Sequence, residues 1–410
     1  MILDWTPFRW PSTWTDSAAL SLLQGTAFNC ILVDKGPEFA GVRSQARQQG
    51  IRIEDPAALP DGIVLIKGEW AGVRLSRGQG AGASAGPTGV PWVNSNGWAI
   101  RLAAALHPDS AVWVQAPPVE GARITPDSYL ITMSDSASHG GRWVTTLDTA
   151  FAAGLASRSP ESMASWKKLC DVAGFFAGHK EWAAFSPQAI VGVISDYAGD
   201  HEFFGGELLT LLSRAGQHYR ILVSGKISDH SFQDLRALIY ADAIPPSPSL
   251  RSRIVSFVQA GGMLIAGPKW GAVSTPALTV EDHPRFTVHA LGKGRLAIAK
   301  EEQADPYVWA NDSVVMVSHR YDLVRFWNGG ATGSFYTLSP DRKRAIVHLL
   351  FYANRGPDTA SVRVVGHYRA ARISTADQPA ARSVEMVSQK DAVEVHLPQV
   401  SQYVALELDV

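Results

Sequence analysis

Seven polar residues, Asp4, Asp34, Asp55, Glu69, Asn94, Gln115 and Asp148, each follow a short apolar run that reads as a strand. Hydrolysis of a glycosidic bond needs two carboxyl groups flanking it, one as proton donor and one as nucleophile or base. Glu69 is the strongest candidate. It follows the run Ile63–Lys67, Gly68 lets the chain turn sharply before it, and Trp70 offers a face for a sugar ring. Asp148 ends the run from Arg142 to Leu147 in the same way, and Asp34 ends the run Asn29–Val33. Trp5, Trp70 and Trp98 supply aromatic faces beside these acids.

Each acid also has a structural reading. An Asp just past a strand often caps a helix or forms a turn. For Asp148, followed by Thr149-Ala150-Phe151, the cap is as strong a reading as catalysis. Asp55 precedes Pro56 and reads as a turn residue, and Asp4 can pair with an arginine such as Arg9. Glu69 differs because Glu is a poor turn former. The densest polar cluster is the segment from Trp92 to Arg101, with Asn94, Asn96, Trp98 and Arg101 as sugar-binding candidates. Trp98 and Arg101 are three residues apart and can share one helix face. Gln115 adds a further polar group at a strand end.

Other chemistries lack their signatures. Histidines lie beside acids at Asp200-His201-Glu202, Asp229-His230 and Asp282-His283, but in none of the usual metal-binding spacings, and they read as surface or loop residues. No metal and no cofactor is expected. There is no Gly-x-Ser-x-Gly elbow and no dinucleotide fingerprint. The Gly-rich stretch 78–86 reads as a loop rather than a phosphate cradle.

The elements that must position these groups fall into three stretches. Residues 1–186 alternate short strands, the first at Ile2–Trp5, with helices at 17–23, 42–49, 95–106, from Pro126, and from Pro160 to about Phe185. Seven or eight strand candidates suit a small TIM-like βα barrel, with reacting groups at the C-terminal strand ends. The stretch is short for a barrel, where about 250 residues is usual, so an incomplete barrel is the alternative. Residues 187–330 hold a second alternation: strands at 190–196, 219–223, 237–241 and 263–267, and helices at 208–214 and 250–260. This predicts a parallel sheet covered on both faces, a complete α/β domain in mid-chain. Residues 331–410 read as strands without helices, at 345–352, 360–365, 384–387, 392–397 and 404–408, with a turn at Asn354-Arg355-Gly356, and predict an antiparallel β-sandwich.

The mid-chain pattern, ending in the helix and strand Ser256-Phe257-Val258-Gln259-Ala260-Gly261-Gly262-Met263-Leu264-Ile265-Ala266-Gly267, resembles the trimerisation domain of family 42 β-galactosidases. That resemblance implies a class I glutamine amidotransferase-like (flavodoxin-like) fold. Neither cysteine, Cys30 or Cys170, lies in this domain, so a structural, oligomer-forming role is implied rather than amidotransferase chemistry. Barrel, amidotransferase-like domain and β-sandwich follow one another in that family. The family's acid is the Glu of an Asn-Glu pair, and this sequence contains no such pair. Its catalytic residues therefore cannot be carried over.

Composition bounds the remaining choices. Hydrophobic residues make up 46% and charged residues 18%, which fits a packed globular chain. A formal net charge of -1 gives no reason to expect nucleic acid or an acidic membrane surface as a partner. No apolar run approaches the ~20 residues that span a bilayer. No leader is visible, so a cytoplasmic location is expected, or a secreted one had a leader been removed. The leading expectation is a homo-oligomeric glycoside hydrolase acting on a small glycoside or oligosaccharide, Glu69 working with Asp148 or Asp34. The alternative is a non-catalytic carbohydrate-binding or assembly protein of the same architecture.

Overall fold

The computed structural model describes residues 4–76, 83–88, 92–271, 279–302, 305–327, 329–353, 359–398 and 401–410. It is a mixed α/β chain of several sheets in two compact units. The first comprises Met1–Phe185, Phe326–Val362 and Gly366–Val410, and the second Ser186–Arg325 with Arg363–Val365. The first and last of the three expected domains thus share one unit. Within that unit the Tyr352 hydroxyl donates to the buried Asp135 at 2.5 Å, and Phe175 and Phe176 pack on Tyr403.

Among the described residues the N-terminal part of the first unit has nine strands: β1 (Pro7–Arg9), β2 (Cys30–Leu32), β3 (Arg52–Glu54), β4 (Ile63–Lys67), β5 (Val73–Ser76), β6 (Ala83–Pro87), β7 (Ala111–Gln115), β8 (Ala122–Ile124) and β9 (Arg142–Trp143). β1, β2 and β3 pair in parallel, as do β4, β7 and β9. A bridge from Phe8 to Thr145 joins the two sets: the Arg9 N–H donates to Thr145 O at 2.9 Å and the Thr145 N–H to Pro7 O at 3.2 Å. The result is six parallel strands in the order β3-β2-β1-β9-β7-β4. Among the described residues no pairing joins β3 to β4, and Leu65 and Lys67 on β4 are exposed, as on an open edge. The remaining three strands form a separate small sheet, β5-β6-β8, which is why fewer strands join the parallel set than expected. β6 takes up residues 83–86 of the Gly-rich stretch, whose residues 78–82 lie outside the described residues.

Side-chain alternation divides this parallel set into two faces. Cys30, Leu32, Ala111, Trp113 and Val144 pack together on one face. Phe8, Ile31, Val112, Val114 and Trp143 join the helical core on the other. The helices are α1 (Ala40–Gln48), α2 (Gly97–Leu106), α3 (Pro126–Ser138), α4 (Thr149–Ala156) and α5 (Pro160–Gly178). Thr125 and Ser159 cap α3 and α5, and each helix starts on a proline whose missing N–H costs nothing there. α5 stops at Gly178, short of the expected Phe185, and a 3₁₀ turn follows at Lys180–Ala184. The expected strand Ile2–Trp5 is instead β1. Asp4 therefore precedes a strand rather than ending one, and Met1–Leu3 lie outside the described residues.

The C-terminal part of this unit is antiparallel. One sheet runs Thr332–Leu338, Arg344–Phe351, Tyr403–Asp409, Ala370–Ser374, Arg382–Ser383, and Met386–Ser388 pairs with Ala392–Pro398 elsewhere. The turn expected at 354–356 lies outside the described residues.

Among the described residues the second unit holds a seven-stranded sheet. Its parallel strands lie in the order Tyr219–Val223, Val191–Ser195, Ala237–Tyr240, Met263–Ala266, Gly294–Ala299, followed by the antiparallel Phe286–Leu291 and Thr279–Asp282. Chain order reverses on either side of Val191–Ser195, so the five parallel strands lie in the order 2-1-3-4-5. Helix α6 (Asp200–Arg214) follows that central strand. No helix among the described residues is long and apolar enough to cross a membrane.

Candidate functional site

Glu69 sits where β4 ends, on a turn fixed from three directions. The Gly68 N–H donates to Gln115 O at 2.8 Å, carrying the β4–β7 ladder one residue further. A Cβ on Gly68 would stand 2.2 Å from Val114 Cγ1 and 2.9 Å from Asn96 Oδ1, so only glycine fits. Asn96 then grips the Glu69 peptide, its Oδ1 accepting the Glu69 N–H at 2.8 Å and its Nδ2 donating to Glu69 O at 2.9 Å. Asn96 is 3% exposed and its own N–H donates to Asp135 Oδ2 at 2.8 Å. Burial pushes the Asp135 carboxyl above the usual range, partly offset by the neighbouring His139 and the Tyr352 and Asn96 hydrogen bonds.

Beyond this turn lies a pocket of about 550 Å³, lined among others by Glu69, Trp70, Arg74, Thr88, Trp92 and Asn94. Its mouth is braced where Gly72, at φ 63°, receives the Thr88 N–H on its carbonyl and donates to Asn94 O at 2.9 Å. Glu69 and Asn94 are exposed, and Trp92 is 49% exposed. Trp70 lines the pocket but is packed edge-on against Tyr129 and Trp143, with its indole N–H on Pro117 O at 2.8 Å. Its faces are therefore core surfaces.

The other residues singled out in the sequence lie outside that lining. Asp148 is 3% exposed and caps α4: Oδ1 accepts the Phe151 N–H at 3.0 Å, and Oδ2 accepts the Ile124 N–H at 3.3 Å and the Tyr129 hydroxyl at 3.1 Å. Asp34 takes both its oxygens to the Arg9 guanidinium at 2.7 Å. Trp5 packs against Trp113 and under the Arg52 guanidinium. Arg101 lies over the Phe335 ring at 5.1 Å, and Trp98 and Gln115 are partly buried. Asp4 lines a separate pocket of about 250 Å³ with Asn29, Arg142 and Lys180, at the N-terminal ends of the strands. Sequence reasoning did not single out Arg74, Thr88 or Asp135. Arg74 and Thr88 converge only through the β5–β6 pairing, and nothing near Asp135 in sequence hints at its burial under Asn96.

A second polar cluster lies in the other unit. Asp196, His201 and Asp242 bring one ligand atom each within 4.8 Å of one another. His201 is not the surface residue expected: its side chain is 13% exposed, with Nδ1 3.0 Å from Asp196 Oδ1 and 3.6 Å from Asp242 Oδ1.

No family model matches the sequence, and no curated protein matches it. Several solved structures are similar in arrangement. An α-L-fucosidase (isoenzyme 2) from Paenibacillus thiaminolyticus shares 10% identity over 73% of this chain and 60% of its own, at a TM-score of 0.47. The GH42 β-galactosidase Gan42B from G. stearothermophilus shares 11% over 73% and 54%, at 0.46. A rhamnosidase from Novosphingobium sp. PP1Y shares 10% over 91% and 38%, at 0.49. The chain spans less than two thirds of the length of each. The likeness is to the architecture of glycoside hydrolases, GH42 β-galactosidases among them, and carries no activity with it.

Proposed function

We propose that this chain binds a carbohydrate in the pocket beside Glu69 and does not cleave it by a two-carboxylate mechanism. The observation that carries this reading is the lining itself: among the described residues it contains one carboxylate, Glu69. The adjoining segments 77–82 and 89–91 contain no Asp or Glu in sequence. Hydrolysis by either common route needs a second carboxyl group, ~5–5.5 Å away for retention or ~6.5–9.5 Å for inversion. Asp148 and Asp34, the partners expected for it, are committed to a helix cap and to Arg9. The exposed Trp92 ring beside Asn94, Glu69 and Arg74 supplies an apolar face flanked by donors and acceptors, which is what a sugar ring presents in complement.

In this reading the six parallel strands are a reduced, open βα barrel, the second unit is an amidotransferase-like assembly domain, and the antiparallel sheets are a C-terminal sandwich. A homo-oligomer goes with that assembly role. Isothermal titration of wild type and Trp92→Ala with a panel of oligosaccharides tests the pocket. Saturable binding weakened at least tenfold by the substitution supports it, and equal binding by both proteins moves the site elsewhere.

A further inference from the structure

The second unit carries a site of its own where its sheet changes direction. In open parallel sheets, ligands bind in the crevice beyond the carboxyl ends of the strands at the point where strand order reverses. Here that point lies between Val191–Ser195 and Ala237–Tyr240, which pair in parallel. Asp196 directly follows the first strand, Asp242 follows the second by two residues, and His201 enters from the first turn of α6. Three ligand-bearing side chains thus converge from three elements, the two carboxylates 46 residues apart in the chain.

Their bonding leaves a charge deficit. Asp242 is 5% exposed; its Oδ1 accepts the Ser195 hydroxyl at 2.5 Å, and its two oxygens share the Asp196 N–H at 3.2 and 3.1 Å. Asp196 Oδ1 accepts the Ala198 N–H and faces His201 Nδ1, each at 3.0 Å. Among the described residues no Lys or Arg reaches either carboxylate, and His201 is the one basic side chain beside them. Two adjacent carboxylates with one largely buried demand positive charge, because a buried ion left unpaired is costly. The positive N-terminus of α6 supplies a fraction of a charge, less than the two carboxylates require.

We infer that Asp196, His201 and Asp242 form a binding site for a divalent transition-series cation, Zn2+ or Mn2+. Two carboxylate oxygens and an imidazole nitrogen are the donor set those ions take. The cation would take His201 Nδ1 as a ligand in place of its contact with Asp196 Oδ1. Ser195, through its hydroxyl on Asp242, orients that carboxylate, as outer-shell partners do for metal ligands. Asp196 is the solvent-side ligand, its side chain 39% exposed, so coordination positions remain open toward water or an oxygen-donor ligand.

The test uses the full chain stripped with chelator and titrated with Zn2+ and with Mn2+, read by calorimetry and by metal content after desalting. The inference expects one ion bound per chain. It expects His201→Ala and Asp196→Asn, both partly exposed and tolerable to the fold, each to weaken binding at least tenfold. Asp242→Asn is a stronger probe but sits in the core, so thermal unfolding of all variants accompanies the titration. Wild type that binds neither ion overturns the inference, and so does binding that His201→Ala and Asp196→Asn leave unchanged. None of these readouts depends on the pocket at Glu69.

Discussion

Asn96 grips the Glu69 peptide with both of its polar atoms, accepting its N–H at 2.8 Å and donating to its carbonyl at 2.9 Å. A buried amide used this way acts like a strand edge one residue long. It fixes where the Glu69 side chain leaves the backbone without touching that side chain. Asn96→Ala would leave the Glu69 N–H and carbonyl without their amide partner while keeping the backbone N–H on Asp135, at a cost of about 2–3 kcal/mol. Thermal unfolding should show the melting temperature falling by several degrees, and sugar binding should weaken through lost positioning.

Gly68→Ala tests the same turn by crowding. The new methyl would stand 2.2 Å from Val114 Cγ1 and 2.9 Å from Asn96 Oδ1. Overpacking of this kind costs about 1–3 kcal/mol. Gly41→Ala, on the exposed face of α1 with open space around it, is the control and should leave stability unchanged or slightly raised.

Asp148 separates capping from chemistry. Its oxygens receive two backbone N–H groups and the Tyr129 hydroxyl, whose pKa burial and the Asp148 charge push far above the ordinary value, so it stays a donor. Asp148→Ala should cost about 2–3 kcal/mol, the sum expected for a lost cap and stranded buried donors. Sugar affinity measured by titration below the melting range should be unaffected. A tenfold or greater loss of binding in a folded Asp148→Ala protein would return Asp148 to the site.

Acid should destabilise the first unit through His348. Burial, and secondarily the charge His139 would carry, lower its pKa from 6.5 to about 3. Its Nδ1 lies 2.7 Å from the Tyr403 hydroxyl. Between those two pH values the unfolded chain holds a proton that the folded chain does not. This contribution to stability is therefore complete above pH 6.5 and is lost as pH falls toward 3, with a slope of at most about 1.4 kcal/mol per pH unit. Thermal unfolding from pH 7 to pH 4 should show the fall, and His348→Gln should flatten it.

The second unit was the more legible part of the fold. Each of its predicted strands recurs within two residues, because buried parallel strands are continuous apolar runs bounded by turns. The first unit was harder to read. The run at Ile2–Trp5 looked like a strand, yet the ladder begins at Pro7, since pairing with Cys30–Leu32 sets the register. At the site, Glu69 at the end of β4 was predictable from an apolar run followed by Gly68. The cap at Asp148 is one of the two readings its sequence allows, whereas the role of Asn96 is not legible, because an amide that binds a sugar and one that binds a peptide have the same sequence. Long-range pairing decided them: Asn96 meets Glu69 across 27 residues and Asp148 meets Tyr129 across 19. His201 departs from its surface reading because its side chain meets Asp196 and Asp242 rather than the adjoining Asp200 and Glu202.

The most direct test sets turnover against binding in one preparation. Wild type and Glu69→Gln are incubated with a panel of nitrophenyl glycosides and titrated with the corresponding sugars. The account predicts saturable binding of at least one sugar by wild type, weakened in Glu69→Gln, and no release of nitrophenol by either protein. Turnover by wild type that Glu69→Gln abolishes would contradict it and establish a hydrolase with Glu69 as its acid or nucleophile.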